Sequence, residues 1–164
     1  MHYISKYNSP FGEITIASDG DNVIGIWYDG QRYFGTTLAQ GYKEKDLPIF
    51  CHVKKWLDAY FNGENPKMTL PIKLDGSQFQ LVVWQILLSI PYGQTMTYGE
   101  VAMRVSETLG MASMSAQAVG NAVGRNPISI VVPCHRVVGS NGKMVGYAGG
   151  IERKIGLLKL EQSE

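Results

Sequence analysis

The amino-acid sequence predicts an α+β protein whose β-rich N-terminal lobe, residues 1–76, is followed by a helical C-terminal lobe, residues 77–164. Two patterns predict this division. The first thirty residues are rich in β-branched and aromatic residues interrupted by Gly, Asn and Asp, which is typical of short strands and turns. After residue 76, helix-capping signals recur instead. The intervening stretch, residues 63–76, contains two prolines and two glycines and is therefore expected to link the lobes.

The N-terminal lobe is predicted to contain a meander of three strands and one helix. The strands are expected at Tyr3–Tyr7, Glu13–Ala17 and Val23–Tyr28. A stretch containing Gly and Asn separates each neighbouring pair, as turns require. A helix is expected from Pro48 to Phe61, because apolar residues recur there at helical spacing, and Asn62-Gly63 ends it.

Three helices are expected early in the C-terminal lobe. Ser77–Gln80 and Thr97–Glu100 each have the pattern of a capping box, in which two side chains satisfy each other's backbone N–H groups. The first helix should end before Pro91, and the second near Glu107. A third helix is expected from about Ser115 to Gly124. The second and third helices are short and closely spaced, which indicates a helix-turn-helix.

An apolar run, a glycine-rich stretch and a terminal helix complete this lobe. Ile128–Val132 is apolar and mostly β-branched, so a buried strand is expected. Residues 138–150 contain five glycines without the strand-to-helix setting of a phosphate-binding loop. They form either a flexible surface loop or a pocket wall in which Tyr147 stacks on a flat substrate. The terminal helix is expected from Lys154 to Glu161.

Composition and charge exclude several classes of protein. Fifteen Lys and Arg residues against 14 Asp and Glu residues give a net charge of +1, which argues against nucleic-acid binding that is mainly electrostatic. A DNA partner would need a small basic face and close groove contact. The longest apolar stretch, Leu81–Ile90, is too short to span a membrane, and the N-terminus lacks the apolar core of a secretion signal. We therefore expect a cytoplasmic protein without membrane contact.

The two cysteines, Cys51 and Cys134, are expected to be free thiols in this compartment. A histidine follows each of them directly, and neither Cys-His pair has the ligand spacing of a zinc site. We therefore predict that the chain binds no structural metal.

Cys134 is the candidate nucleophile, because it follows the apolar run and Pro133 and precedes His135 and Arg136. A thiol is nucleophilic only as the thiolate, which nearby cationic or proton-accepting groups favour. Adjacent residues of a strand point to opposite faces, so His135 needs a turn or a bridging water to reach the sulfur. Glu161 could orient the imidazole if the terminal helix brings it there. The spacing alone leaves the alternative open that Cys134 is a small buried apolar residue.

Small residues dominate the third helix, in which Ala116, Gly120 and Gly124 share one face at a spacing of four residues. The two glycines cost about 1 kcal/mol each relative to alanine, so a close approach must compensate for them. Tight packing against another helix would explain them. Insertion into a narrow groove, where larger side chains do not fit, would explain them equally well. Composition alone leaves both explanations open.

Taken together, these features resemble the O6-alkylguanine-DNA alkyltransferase family, the methylated-DNA–protein-cysteine methyltransferases. The resemblance covers most of the chain and is strongest from Ser77 to Glu161. Its most specific motifs are Asn126-Pro127, Pro133-Cys134-His135-Arg136-Val137 and Gly146-Tyr147-Ala148-Gly149-Gly150. It implies a ribonuclease H-like N-terminal lobe and a helix-turn-helix that enters the DNA minor groove. It further implies a cytoplasmic monomer that needs no cofactor and repairs O6-alkylguanine in double-stranded DNA.

The resemblance implies a catalytic role for five residues. Cys134 would attack the alkyl carbon in a single, irreversible turnover, His135 would take the thiol proton through a water, and Glu161 would orient His135. Tyr98 would hydrogen-bond the base and help to protonate the leaving guanine. Asn126 would brace the turn next to the thiol. O4-methylthymine is left open as a second substrate.

The resemblance also implies how the flipped base and the duplex would be bound. The carbonyls of Cys134 and Val137 would accept hydrogen bonds from the exocyclic amine, and the Ala148 amide would face the oxygen. The pocket wall would comprise Tyr147, Gly149 and Gly150. The residues implied to contact DNA are Thr97, Ala116, Gln117, Ala118, Gly120, Asn121 and Arg125.

Gln117 departs from the family pattern, which often has an arginine there to fill the space left by the flipped base. A glutamine can still occupy the stack and hydrogen-bond the orphaned cytosine, but it brings no positive charge. We therefore expect weaker DNA affinity or a different flipping balance, with intact chemistry. The segment Arg104–Met114 is longer than usual for the family, so the helix-turn-helix connection is expected to differ. The cysteine-histidine set that binds zinc in some members is not evident.

Three other functions fit parts of the sequence. A protein that recognises alkylated DNA without repairing it would not need Cys134. A helix-turn-helix regulator would read the major groove, for which the small-residue helix offers few side chains. A cysteine hydrolase would turn over repeatedly, which separates it from a protein consumed by its own reaction.

Overall fold

The computed structural model describes residues 1–162 and divides them into two compact units. Unit 1 comprises Met1–Asp75 and Pro127–Ser129, and unit 2 comprises Gly76–Asn126 and Ile130–Gln162. The last two residues of the predicted C-terminal lobe lie outside the described residues. No helix in the described part of the chain is both long and apolar enough to cross a membrane.

Unit 1 is built on a four-stranded sheet with the strand order β3-β2-β1-β4. The three predicted strands are confirmed, and each neighbouring pair is antiparallel. A two-residue strand that was not predicted pairs parallel to β1; both of its residues are exposed, so they leave no apolar pattern. The strands are β1 (Tyr3–Ser9), β2 (Gly12–Ser18), β3 (Val23–Tyr28) and β4 (Lys43–Glu44).

The predicted helix of unit 1 is also confirmed, as α1 (Pro48–Phe61). Its apolar stripe is buried, and its exposed side contributes Asp58, whose Oδ1 accepts a hydrogen bond of 2.7 Å from the Tyr7 hydroxyl on β1. The buried residues of the stripe are Phe50, Val53, Leu57 and Tyr60. The period of this stripe therefore identified both the helix and its inward face.

The predicted strand at Ile128–Val132 is wrong. Only Ile128 pairs, in a single parallel bridge with Ile26 of β3, and the chain then turns. Ile130 has a φ of 72°, a left-handed conformation that β-branched residues rarely adopt. All five residues are nevertheless buried. A mostly apolar, β-branched run indicates that a segment is buried. A buried segment can form a turn as well as a strand.

Unit 2 is largely helical. Its two very short strands pair parallel to each other, with Met96 opposite Val137 and Thr97 opposite Val138. Cys134–Arg136 and Ser140–Gly142 form short 3-10 helices. The other elements are α2 (Gln78–Leu88), β5 (Met96–Thr97), α3 (Tyr98–Leu109), α4 (Ala116–Gly124), β6 (Val137–Val138) and α5 (Ile151–Gln162).

The helix starts of unit 2 follow the sequence signals. The Ser77 hydroxyl accepts from the Gln80 N–H and the Gln80 side chain accepts from the Ser77 N–H, which completes the predicted capping box. The Thr97 hydroxyl caps α3 by accepting from the Glu100 N–H. Helix α3 runs two residues beyond its predicted end, to Leu109, and is capped by Gly110, whose φ of 67° allows it to end the helix.

Helices α3 and α4 form the predicted helix-turn-helix, joined by residues 110–115. The Ser115 hydroxyl caps α4 by accepting from the N–H groups of Gln117 and Ala118. The Trp84 indole N–H of α2 donates to the Ala122 carbonyl at 2.9 Å, which fixes α4 against α2. The buried side of α4 consists of Val119, Ala122 and Val123. Its remaining residues are exposed or half-buried.

Gly25 provides a test of packing in unit 1. A Cβ at this position would lie 2.0 Å from the buried Trp27 ring, so Gly25→Ala should lower the free energy of unfolding by about 1–3 kcal/mol through overpacking. Gly124→Ala is the control, because a Cβ there meets nothing within 4 Å. This control should be neutral or stabilise by up to about 1 kcal/mol. Urea unfolding followed by tryptophan fluorescence measures both, and equal effects of the two changes would contradict this account of Gly25.

Candidate active site

Cys134 begins a 3-10 helix and is only 4% exposed. Its backbone N–H donates to the Val132 carbonyl at 2.8 Å. The buried Asn126 side chain donates to the same carbonyl at 2.7 Å and also hydrogen-bonds the Cys134 side chain. Asn126 therefore ties the turn before the thiol to the thiol itself.

Burial raises the pKa of the Cys134 thiol from 9.0 to about 11. The Asn126 hydrogen bond and the positive charge of Lys154 act in the opposite direction, as do two backbone N–H groups. The net direction means that the resting side chain is a protonated thiol at neutral pH. Any nucleophilic reaction must therefore remove its proton.

His135 lies directly beside the thiol in sequence, and the structure brings Glu161 of α5 against it. The His135 Nε2 and Glu161 Oε2 atoms are 2.5 Å apart, and both side chains are fully buried. Burial lowers the pKa of His135, and the neighbouring Glu161 opposes this effect without reversing it. His135 is therefore a neutral imidazole at pH 7, the form that can accept a proton.

The Glu161 carboxylate accepts further hydrogen bonds from two groups. Arg136 donates through Nε to Oε1 at 2.8 Å and through a terminal nitrogen to Oε2 at 3.1 Å. The backbone N–H of Gly93 donates to Oε1 at 3.2 Å. Burial opposes ionisation of Glu161, but His135 and Arg136 outweigh it and lower the pKa of this carboxyl from 4.5 to about 2. Glu161 is therefore ionised, and its carboxylate is held by His135, Arg136 and the Gly93 N–H.

Tyr98, the first residue of α3, points its hydroxyl at the glycine-rich segment. The hydroxyl lies 2.9 Å from the Gly146 carbonyl and 3.2 Å from the Val145 carbonyl, to which it donates. Burial and the nearby Cys134 raise the pKa of Tyr98 to about 12. Gly146 has a φ of 63°, and a Cβ there would lie 2.8 Å from the Tyr98 oxygen, so glycine is required on both counts.

The structure thus combines one buried thiol with three other features: a fixed imidazole–carboxylate pair, an un-ionised phenol and a bracing amide.

Comparison with known proteins identifies the arrangement. Residues 2–74 match the model of the 6-O-methylguanine DNA methyltransferase ribonuclease-like domain, and residues 78–163 match that of the DNA binding domain of the same enzymes. The chain belongs to the 6-O-methylguanine DNA methyltransferase family.

Individual family members are similar to this chain over nearly its whole length. A methylated-DNA–protein-cysteine methyltransferase of Haemophilus influenzae is 39% identical over 161 residues, which are 98% of this chain and 86% of that protein. Its counterpart in Mycobacterium tuberculosis H37Rv is 41% identical over 163 residues, 99% of this chain and 93% of that one. The crystal structure of Mycobacterium tuberculosis OGT in complex with DNA superposes with a TM-score of 0.85 at 39% identity, covering 98% and 92% of the two chains.

These comparisons confirm the resemblance seen in the sequence, the α+β fold class and the methyltransferase class. The ribonuclease-like domain corresponds to the β-rich N-terminal part and the DNA binding domain to the helical part. The roles of single residues are not decided by membership of the family. They depend on where this chain places each side chain.

The residues expected to form the base pocket lie on β6 and on the loop before α5. Val137 is buried in β6, Tyr147 and Ala148 are half-buried, and Gly149 is buried. Gly150 is exposed, has a φ of 98° and donates its N–H to the Tyr147 carbonyl at 2.9 Å. Residues 147–150 therefore form a hydrogen-bonded turn.

The residues expected to contact DNA lie mostly on the outer side of α4 in this family member. Exposed are Ala116, Gln117, Asn121 and Arg125, and half-buried are Ala118, Gly120 and the helix cap Thr97. A Cβ at Gly120 would lie an ordinary 3.9 Å from the Tyr98 ring, and one at Gly124 would meet nothing within 4 Å. Tight packing within the fold therefore does not explain the glycines, and approach by an external partner remains.

Three functional candidates were missed by sequence reasoning. Arg136 was visible as part of the Pro-Cys-His-Arg motif, but nothing in the spacing showed that it would bind Glu161. Gly93 acts through its backbone N–H, which carries no sequence signal. Lys154 is fully buried on α5, whereas a lysine in a terminal helix is ordinarily exposed.

Two further observations delimit the site. An apolar groove of about 400 Å³ lies on α2 and the end of α3, and none of the predicted site residues lines it. Within residues 1–162, no group of three or more His, Cys, Asp or Glu side chains is placed to hold a metal ion.

Glu161→Gln tests the anchoring role of the carboxylate in this family member. The change should lower the free energy of unfolding at pH 7 by about 3–5 kcal/mol, because Arg136 is left without its counter-charge. Since the pKa of Glu161 is lowered from 4.5 to about 2, its stabilisation is complete above pH 4.5 and is lost as the pH falls through about 2.

The difference between the two chains should therefore be constant near neutral pH and shrink across that acid window. Urea unfolding at a series of pH values measures it. Glu152→Gln, a change at an exposed position of the same helix, is the control and should follow the unchanged chain. A difference that does not depend on pH would show that the charge of Glu161 is not what stabilises the site.

Proposed function

We propose that this family member repairs double-stranded DNA by transferring a methyl or larger alkyl group from O6 of guanine to the sulfur of Cys134. The observation that carries the proposal is the buried thiol beside a neutral His135 that is held by the Glu161 carboxylate. This combination provides a soft nucleophile together with a base that can accept its proton. Residues 134–136 form a 3-10 helix rather than a strand, which meets the predicted need for a turn.

The reaction forms one bond and breaks another. The Cys134 sulfur attacks the alkyl carbon in line with the O6–carbon bond, whose electron pair remains with the guanine. The thiol proton passes through a water to His135, and the Tyr98 hydroxyl supplies a proton to the leaving base. The proton on His135 then restores the Tyr98 hydroxyl through solvent, so the products are a thioether and an unmodified guanine.

A single turnover per molecule follows from the product. The thioether carbon has no good leaving group, and no described residue near Cys134 activates one. Water therefore does not regenerate the thiol, and no cofactor enters the balance. This separates the proposed function from that of a cysteine hydrolase, whose thioester or comparable intermediate is cleaved by water.

Base flipping follows from the burial of the thiol. Cys134 is 4% exposed, so a guanine stacked in a duplex cannot reach it. The base must leave the helix, and the Tyr98 hydroxyl must leave the Val145 and Gly146 carbonyls to hydrogen-bond it. We propose that the outer side of α4 lies in the minor groove, where its glycines let the backbone approach the groove walls.

The remaining expectations from the sequence belong to the same proposal. The protein should act as a cytoplasmic monomer, and O4-methylthymine is the second substrate to be tested. Gln117 should occupy the stack in place of the flipped base and hydrogen-bond the orphaned cytosine. Asn121, Arg125 and Thr97 should contact the sugar-phosphate backbone around it.

The proposed reaction is tested by peptide-resolved mass spectrometry after incubation with a duplex that contains O6-methylguanine. We expect one added methyl group on the peptide that contains Cys134, no addition on the peptide that contains the exposed Cys51, and at most one repaired base per protein molecule. Cys134→Ser keeps the size of the side chain and should abolish the transfer.

The other outcomes distinguish the alternatives. An unmodified Cys134 with the damaged base intact would exclude repair and leave damage recognition or a helix-turn-helix regulator. Repair that exceeds one base per protein would indicate a hydrolase. A parallel incubation with O4-methylthymine decides whether that base is also a substrate.

Gln117→Arg tests the departure from the family pattern. The arginine should strengthen binding to damaged duplex and increase the slope of log affinity against log salt by about one, because one more phosphate or groove contact becomes cationic. The single-turnover rate at saturating DNA should change little, since Gln117 lies on α4 and not beside the thiol. Fluorescence anisotropy over a range of salt concentrations measures affinity. Identical affinity and salt slope in both chains would remove Gln117 as the cause of weak binding.

A further inference from the structure

Lys154 is a buried cation to which the resemblance to the family assigned no role. Its side chain is fully buried on α5. Its Nζ atom donates to the Val145 carbonyl at 2.6 Å and to the Gly146 carbonyl at 3.2 Å, and it lies 5.6 Å from the centre of the Tyr98 ring. A methionine of similar length would fill this space without the cost of burying a charge, so packing does not explain a lysine here.

The two carbonyls that Lys154 holds are the same two that accept from the Tyr98 hydroxyl. Each carbonyl has two lone pairs and can accept from both donors. In the proposed function, the Tyr98 hydroxyl must leave these carbonyls to reach the base. Lys154 can then keep both carbonyls hydrogen-bonded while the Tyr98 hydroxyl is away.

Lys154 also faces the thiol electrostatically. Its charge lowers the pKa of Cys134, and a Cys134 thiolate raises that of Lys154. The other titratable groups around them are Tyr98 on α3, His135 and Arg136 on the 3-10 helix, and Glu161 on α5. Arg136 and Glu161 are paired with each other. Burial lowers the pKa of His135, and the pKa of Tyr98 is raised to about 12, so neither titrates near pH 8.

We propose that Lys154 is a positioning residue with two tasks in the proposed alkyl transfer: its ammonium balances the charge of the Cys134 thiolate, and it retains the Val145 and Gly146 carbonyls when the Tyr98 hydroxyl turns to the base. The inference rests on the proposed function for its second task. Its first task is a property of the free protein and can be measured without DNA.

The first task has a distinctive pH profile. Burial lowers the pKa of Lys154 from 10.5 to about 8. Below pH 8, the reactive ammonium–thiolate pair has one proton fewer than the dominant ammonium–thiol pair, so its population rises tenfold per pH unit. Above pH 8, the dominant neutral pair has the same number of protons as the ammonium–thiolate pair. The population of that pair then stops rising, and the rate profile bends.

The experiment is alkylation of Cys134 by iodoacetamide as a function of pH, followed on the Cys134 peptide so that the exposed Cys51 does not contribute. The unchanged chain should show the bend near pH 8. Lys154→Met should lose the bend and react about tenfold more slowly below it, because the thiolate loses its counter-charge and the thiol pKa rises. Lys154→Arg keeps a charge that does not titrate and should keep the faster rate without the bend.

Two controls keep the test decisive. Lys159→Met, at an exposed position of the same helix, should show the profile of the unchanged chain. Lys154→Gln provides an uncharged variant with hydrogen-bond donors if the methionine variant does not fold, and it should also lose the bend. An unchanged profile in Lys154→Met, or equal rates in the glutamine and arginine variants, would overturn the charge-balancing task. A change of access alone would scale the rate at every pH without moving the bend.

The second task is tested by single-turnover methyl transfer from O6-methylguanine duplex. Lys154→Met should slow this reaction about tenfold more than it slows iodoacetamide alkylation, because only the base requires the Tyr98 hydroxyl to leave the two carbonyls that Lys154 retains. Equal slowing of both reactions would overturn the anchoring task. If methyl transfer is absent from the unchanged chain while the bend near pH 8 is present, the proposed function fails and the charge-balancing task stands.

Discussion

The site depends on the hydrogen bonds and the ion pair that the buried Glu161 carboxylate forms. An ionised carboxylate in a protein interior costs several kcal/mol unless positive charge and hydrogen bonds offset that cost. Here the compensation comes from His135, Arg136 and the Gly93 N–H. These groups lie on the 3-10 helix and on the turn after α2, whereas Glu161 lies on α5. The bonds that satisfy the carboxylate therefore also hold the terminal helix against the segment that carries Cys134.

A second effect, burial, acts on the proposed nucleophile, Cys134. Burial keeps the Cys134 thiol protonated at neutral pH, which protects it from oxidation and from chance alkylation, since both require thiolate character. Such protection would benefit a protein that is consumed by one reaction, as we propose for this chain. Two groups of the site can promote ionisation of the thiol. One is the neutral imidazole of His135, and the other is the Lys154 ammonium, which lies beside the Tyr98 phenol.

The sequence predicted most elements because their signals are local. The stripe of α1, the Ser77–Gln80 capping box and the turn residues of the meander each fix a few neighbouring torsion angles. The strand predicted at Ile128–Val132 failed for the opposite reason. Its residues are buried, but the chain pairs at Ile128 alone and then turns through Ile130. No local pattern distinguishes a buried turn from a buried strand when every residue is buried and nearly all are apolar.

The sequence by itself determined which residue is the candidate nucleophile, its neighbouring histidine and the small-residue helix, because these depend on residue type and short spacing. Only the tertiary structure decided which groups meet across long separations in the chain. The Glu161 carboxylate meets Gly93 from 68 residues away, and the carbonyls of Val145 and Gly146 are shared by Tyr98 and Lys154. A backbone N–H and a backbone carbonyl are present at nearly every position, so their function is set by where the fold places them and is not written in the residue type.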